Sequence, residues 1–357
     1  MVPIPATESD LTPQWFTSVL GLTGGNHVES VDLQQLGESD SVSGYIYRAK
    51  LTYSNKTQDT LESVVLKIPR PRNLRTPILL AAYKNEVGFY RTLAPNVGIP
   101  VPKHIYSDIV DTTSDYVLVI EDFPDSTNVR NETGATTEQA YVLLEYLARL
   151  HARHWSDTEL LRRKVLNSIE NYINRLTTGL PQCTPVFLSR LSQYLRPEEM
   201  EIFRALPGCF RAVVEPLLDA PKTIVHNDYA MKNILILDGV GGSSFVLVDW
   251  ANIGLGPGVR DLSFFIETSV PPSTRSKFER AFLRHYWRKL RSEGVSGYSF
   301  KRMLEDYRRS VIMDMARMAY FGGREFFSPM YESILRHDIR GRTGSAKELD
   351  LGALLKS

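Results

Sequence analysis

The stretch that most constrains this 357-residue chain is HNDYAMKNILI, residues 226–236, a largely polar loop set between apolar runs. Residues 223–225 (TIV) precede it and 234–237 (ILIL) complete it; after the turn DGVGGSS, a third run, 245–248 (FVLV), delivers Asp249. Short aliphatic and β-branched runs bounded by turn formers read as strands. A strand, a polar loop and a hairpin thus present His226, Asp228, Asn233 and Asp249 in the pattern H-x-D-x4-N, then D. A polar turn explains any one of these residues alone, but not their joint spacing.

The spacing matches the chemistry of phosphoryl transfer, which needs a nucleophile aimed in line and cations on the phosphate oxygens. Asp228 suits the acceptance or orientation of a substrate hydroxyl proton. Asn233 suits one Mg2+ through its amide oxygen, and Asp249 suits Mg2+ bridged to the β- and γ-phosphates of ATP. His226 is expected to support the loop by hydrogen bonding. The interval from Asp228 to Asn233 is that of the kinase catalytic loop HRDLxxxN, and the second aspartate follows one hairpin later.

Upstream, a strand ending VVLK presents Lys67, and the next helix offers Glu86 in KNEVGFY. A lysine that reaches the α- and β-phosphates needs such a glutamate to hold it by a charge-assisted hydrogen bond. Before Lys67, LGESDSVSGYIYRAKL places Gly37, Ser39, Ser41, Ser43 and Gly44 where a loop over the phosphates is expected. It lacks GxGxxG, so backbone amides and the hydroxyls of Ser41 and Ser43 are the candidate donors.

The remaining pattern gives an α+β chain. A helix is expected over residues 11–22 behind Thr12 and Pro13, then strands over 42–53 and 61–68, a helix over 78–93 and a strand over 116–120. The composition break EDFPDS marks a hinge, dividing a nucleotide-binding lobe, 1–122, from a catalytic and substrate-binding lobe, 123–357. A helix opens at Thr137. Residues 158–220 read as several helices broken at GLPQC, RPEE and LPGC, and residues from 274 onward are again helical.

Charge adds exclusions. Lysine plus arginine (42) and aspartate plus glutamate (41) nearly cancel, so no global field gathers nucleic acid or a membrane surface. Two cysteines, Cys183 and Cys209, form no zinc spacing or disulfide framework, which leads to the expectation of a reducing, cytoplasmic setting. No run is apolar enough to span a bilayer. His151 and His154, in LHARHW, lack nearby acid ligands and read as packed or capping side chains. The stripe Met313, Met315, Met318, Tyr320, Phe321 reads as core.

Taken together, LTPQWFTSVL, LKIP, NEVGFY, VLVIEDF, LARLHARHW, HNDYAMKN and VDWANIGLGPGVRDLSFFI resemble the kinase-like small-molecule phosphotransferases, and most closely the ecdysteroid-kinase-like group. The resemblance extends over nearly the whole chain and implies a bilobal protein-kinase-like fold. It also implies adenine contacts from backbone groups near Glu121 and Phe123, and a bracing role for Asp261. Asn227 departs from the arginine or glycine usual at its position, and Trp250-Ala251 from Phe-Gly. The chain runs from GLGPG straight to RDLSFF, with little room for a peptide-binding activation loop, so the expected acceptor is a small hydroxylated molecule such as an apolar or sterol-like alcohol. The alternatives are an aminoglycoside-type kinase, whose cleft would carry carboxylates, and a nucleotide-binding pseudokinase.

Overall fold

The computed structural model describes residues 2–37, 44–57, 60–72, 76–110, 112–113, 115–128, 133–163, 166–239, 242–324 and 349–355. The chain forms two compact units, Met1–Thr127 with Leu235–Asn252, and Asn128–Ile234 with Ile253–Ser357. The hairpin segment carrying Asp249 thus packs with the first unit, whereas a single boundary at 122/123 assigns it to the second.

In the first unit, β1 (Val28–Leu36), β2 (Tyr45–Tyr53), β3 (Ser63–Ile68), β4 (His104–Val110) and β5 (Asp115–Glu121) form an antiparallel sheet of order β1-β2-β3-β5-β4. The strands β1 and β4 are absent from the sequence reading. Only Val28, Val31, Leu33 and Leu36 of β1 are shielded, without strict alternation, and its glutamate, aspartate and glutamines disguise an edge strand. The helix α1 (Pro13–Val19) starts as expected, with Thr12 accepting the Trp15 N–H and Pro13 in the first turn. Trp15, Phe16 and Val19 form a core with Val64, Leu66 and Ile68 of β3. Side chains alternate along a strand, so burying Val64, Leu66 and Ile68 turns Lys67 to the opposite face.

That face meets α2 (Pro77–Gly88), capped by Thr76 and continued by a π-helical turn, Phe89–Leu93. The hairpin Ile234–Gly239/Gly242–Leu247 joins the same unit through Leu235 onward, and the Leu247 N–H donates to the Pro100 carbonyl at 3.1 Å.

The second unit is mostly helical. Its α3 (Thr137–Arg153) begins with a Thr136/Gln139 capping box and ends at His154. Next come α4 (Ile169–Leu191), α5 (Pro197–Val214), α6 (Val259–Ser269), α7 (Pro272–Ser292) and α8 (Phe300–Gly322). The break expected at RPEE is real: Arg196 caps α5 and Pro197 opens it. Those expected at GLPQC and LPGC are not, because α4 runs through Pro181 and Pro185, and α5 through Pro207. An internal proline costs about 3 kcal/mol. In α4 both prolines lie on the exposed side, while Leu176, Leu180, Phe187 and Leu191 are buried on the other, and that packing outweighs the cost.

Every residue of α6 is buried, with Arg260 paired to Asp314 at 2.9 Å and Glu267 to Arg275 at 2.9 Å. Met313, Met315 and Met318 are buried as expected of core. A short strand, Thr223–Val225, pairs with Gly254–Gly256 and leads into the HNDYAMKN loop. Among the described residues, no helix is long and apolar enough to cross a membrane.

Candidate active site

The first unit assembles one set of functional groups. Lys67 Nζ donates to Glu86 Oε1 at 2.6 Å and to Asp249 Oδ1 at 3.3 Å. Burial works against the ammonium charge, but the Asp249 and Glu86 carboxylates outweigh it and hold the group protonated well above its usual range. Asp249 occupies the left-handed region at φ +64°, a conformation that costs a non-glycine residue about 1 kcal/mol or more. Its neighbours hold it there. Trp250 stacks on Phe89 (ring centroids 3.8 Å apart, planes within 9°), and the Ala251 carbonyl accepts from Asn85 Nδ2 at 3.2 Å. Trp250 thus anchors the turn that carries Asp249 to α2 and its π-helical extension.

Gly44, Lys67, Tyr83, Glu86, Tyr116 and Asp249 line a concavity of about 270 Å3, part of it open to solvent. Tyr83 and Tyr116 stack within it at 4.0 Å. Tyr83 lies three residues before Glu86, so helical spacing alone would have placed it on the site's face. A Cβ on Gly44 would lie 2.5 Å from the Ile68 carbonyl oxygen, so the chain passes the cavity where only glycine fits. Ser39, Ser41 and Ser43 lie outside the described residues. Glu121 ends β5 and donates its N–H to the Lys103 carbonyl at 2.9 Å. The Phe123 carbonyl accepts from the Ser126 N–H and hydroxyl at 3.0 and 2.6 Å, so an adenine contact at Phe123 would use its N–H.

The second unit holds the loop. Asp261, fully buried on α6, accepts the N–H of His226 and of Asn227, each at 2.7 Å. It is itself within 3.3 Å of His151 Nε2, whose Nδ1 meets the Tyr286 hydroxyl at 2.7 Å. Since a carboxylate only accepts, the His151 proton belongs on Nε2, and Tyr286 donates to Nδ1. His151 is therefore a packed support, and His154 caps α3. Asn227 takes φ +63°, which asparagine tolerates better than most residues.

His226, also fully buried, accepts the Asp228 N–H on Nδ1 at 3.2 Å, so it shapes the loop from within. Tyr229 donates to the Leu143 carbonyl at 2.8 Å, and the Met231 N–H donates to Ser269 Oγ at 3.0 Å. Asn128 Nδ2 donates to the Lys232 carbonyl at 2.8 Å.

Asp228 is the least satisfied group in this loop. Its Oδ2 accepts from Lys232 Nζ at 2.8 Å and from Asn233 Nδ2 at 3.1 Å, while its Oδ1 is buried without a hydrogen-bond partner. Burial works against its charge, but the Lys232 ammonium, the Arg317 guanidinium and His226 outweigh it and bring the carboxyl down to about 2. Asn233 Nδ2 also donates to the Asp228 carbonyl at 2.9 Å, which leaves its amide oxygen for a metal. Lys232, Tyr83 and Tyr116 are further residues of these clusters that the sequence does not single out, and His151 is packed as expected.

These features define the fold of small-molecule kinases. Across 95% of this chain and 97% of the other, the structure matches a Ralstonia eutropha JMP134 protein provisionally assigned as an aminoglycoside phosphotransferase (TM-score 0.56, 12% identity). It matches a Plasmodium vivax ethanolamine kinase over 91% of this chain and 84% of that one (TM-score 0.52, 13% identity). An amicoumacin kinase in complex with AMP-PNP, Ca2+ and Ami matches over 88% of each chain (TM-score 0.51, 14% identity). No curated protein sequence matches this chain. The ecdysteroid kinase-like family profile matches residues 38–294, and the chain belongs to that family, and with it to the small-molecule phosphotransferases.

Proposed function

We propose that this protein transfers the γ-phosphoryl group of MgATP to a hydroxyl of a small, uncharged or apolar alcohol, a sterol-like molecule being one such acceptor. The observation that carries this reading is the buried, partnerless Oδ1 of Asp228, an acceptor atom awaiting a donor. The acceptor hydroxyl oxygen bonds to the γ-phosphorus as the bond to the β-phosphate oxygen breaks. ADP leaves, and the hydroxyl proton goes to Asp228 Oδ1.

The residues present fit a magnesium nucleotide. Lys67, held by Glu86, would meet the α- and β-phosphates, and Glu121 and Phe123 would meet adenine through their backbone. Ser41 and Ser43 are further candidate phosphate donors. The Asn233 amide oxygen and the Asp249 carboxylate are each a candidate ligand for Mg2+, which would supply positive charge to the phosphate oxygens. His226 fixes the Asp228 backbone rather than touching substrate.

The named groups that lower the Asp228 carboxyl are Lys232, Arg317 and His226, a surrounding that repels a polycation. This favours an uncharged acceptor over an aminoglycoside. The presence of Lys67, Glu86, Asp228, Asn233 and Asp249 together speaks against a pseudokinase. The test is Mg2+-dependent conversion of ATP to ADP with a panel of steroids, other alcohols, choline-like compounds and aminoglycosides, with products weighed by mass. A phosphorylated alcohol that disappears with Asp228→Asn is expected. An aminoglycoside product, or nucleotide binding without transfer to any acceptor, would refute the reading.

A further inference from the structure

Lys232 stands next to a metal-ligand candidate, yet its own side chain is turned to Asp228. The turn Met231–Asn233 that carries it is pinned by Ser269 at the Met231 N–H and by Asn128 at the Lys232 carbonyl. The backbone is therefore fixed while the lysine side chain, 49% exposed, reaches 2.8 Å from Asp228 Oδ2. Asn233 donates to the same oxygen. Two donors thus converge on one carboxylate oxygen, and the other, buried, has none. A carboxylate held by one oxygen cannot swing freely about its last torsion, so the identity of the proton-accepting oxygen is set before any substrate arrives.

We propose that Lys232 is a positioning residue for phosphoryl transfer, which pins Oδ2 of Asp228 so that Oδ1 faces the acceptor hydroxyl, and which keeps a cation beside the reacting centre. The inference rests on the phosphotransferase reading above. As the hydroxyl proton reaches Oδ1, Asp228 loses its negative charge, and the ammonium, still protonated, stands beside a neutral carboxyl at the moment when the acceptor oxygen becomes a phosphoester. Its half-exposed position lets it turn to the phosphoryl oxygens. Lys232 neither gains nor loses a proton in the step.

The test compares wild type, Lys232→Met and Lys232→Arg for acceptor phosphorylation and for slow MgATP hydrolysis, in which water replaces the acceptor. Lys232→Met is expected to lower kcat about 100-fold in both reactions, with KM for ATP and for the acceptor within about threefold of wild type. Lys232→Arg, which keeps the cation, is expected to recover about tenfold of that loss. Unchanged kcat in Lys232→Met, a defect confined to KM, or an arginine variant no better than the methionine variant would each overturn the assignment of Lys232 alone. A wild-type protein that neither hydrolyses nor transfers from MgATP would overturn the underlying reading and this inference together.

Discussion

Asp261 accepts the backbone N–H of Asn227 at 2.7 Å, and Asn227 is held there at φ +63°. The hydrogen bond and the left-handed backbone support each other: the carboxylate gathers two consecutive N–H groups, which a chain in ordinary β or α geometry does not present together. Asp261→Asn keeps the volume but turns one acceptor into a donor facing a donor. We expect a loss of about 2–4 kcal/mol in urea unfolding, because a buried group is left unsatisfied. Asn227→Gly should be nearly neutral and Asn227→Val should cost about 1–2 kcal/mol, and equal effects for the two would refute this account of the loop.

In the ion pair between Lys67 and Glu86 the carboxylate is buried and the lysine side chain is 13% exposed, so the pair is weakly screened. Glu86→Gln leaves Lys67 with Asp249 as its remaining named carboxylate and weakens its aim at the phosphates. A loss of about 2 kcal/mol, roughly thirtyfold in kcat/KM for ATP, is expected, with little change in KM for the acceptor. Steady-state kinetics with each substrate varied in turn separates the two parameters.

The stack of Trp250 on Phe89 predicts coupling between the turn that carries Asp249 and the π-helical extension of α2. In a double-mutant cycle of Phe89→Leu and Trp250→Leu, the measured interaction should be about 1 kcal/mol in stability. Additive single effects would show that the rings pack independently.

Asp228 titrates near 2 when folded and near its ordinary value of 3.8 when unfolded. A lowered folded value contributes stability that is fully present above the unfolded pKa and is lost as pH falls through the folded one. The difference in unfolding free energy between wild type and Asp228→Asn should therefore be flat from about pH 5 to 8 and should shift against wild type between about pH 4 and 2. Chemical denaturation across that range checks it; a flat difference down to pH 2.5 would contradict the assignment.

The candidate groups were legible because each sits where a local pattern meets a chemical requirement. Lys67 stands at the odd positions of an alternating strand, Glu86 in the helix that follows, and Asp228, Asn233 and Asp249 in a loop and hairpin whose length is fixed by apolar runs. What escaped depends on contacts distant in sequence. The resemblance pointed to Asp261 as a brace, but the link from Asp261 through His151 to Tyr286 spans 135 residues between its histidine and tyrosine, and no local pattern encodes it. The strands β1 and β4 were hidden by polar edge residues. The continuity of α4 through two prolines is decided by the apolar residues on its buried side, which a breaker rule does not weigh.

The exchange of segments between the two compact units has a consequence for how such a protein can be divided. The chain changes unit at 127/128, at 234/235 and again at 252/253, so Asn233 and Asp249, only sixteen positions apart, belong to different units. No single cut separates the first unit from the remainder: a piece ending near residue 127 keeps Lys67 and Glu86 but forfeits Asp249, the aspartate that completes their charge cluster. Transplanting the first unit onto another enzyme would require moving two stretches of chain at once, so recombination at one crossover breaks the site rather than shuffling it as a cassette.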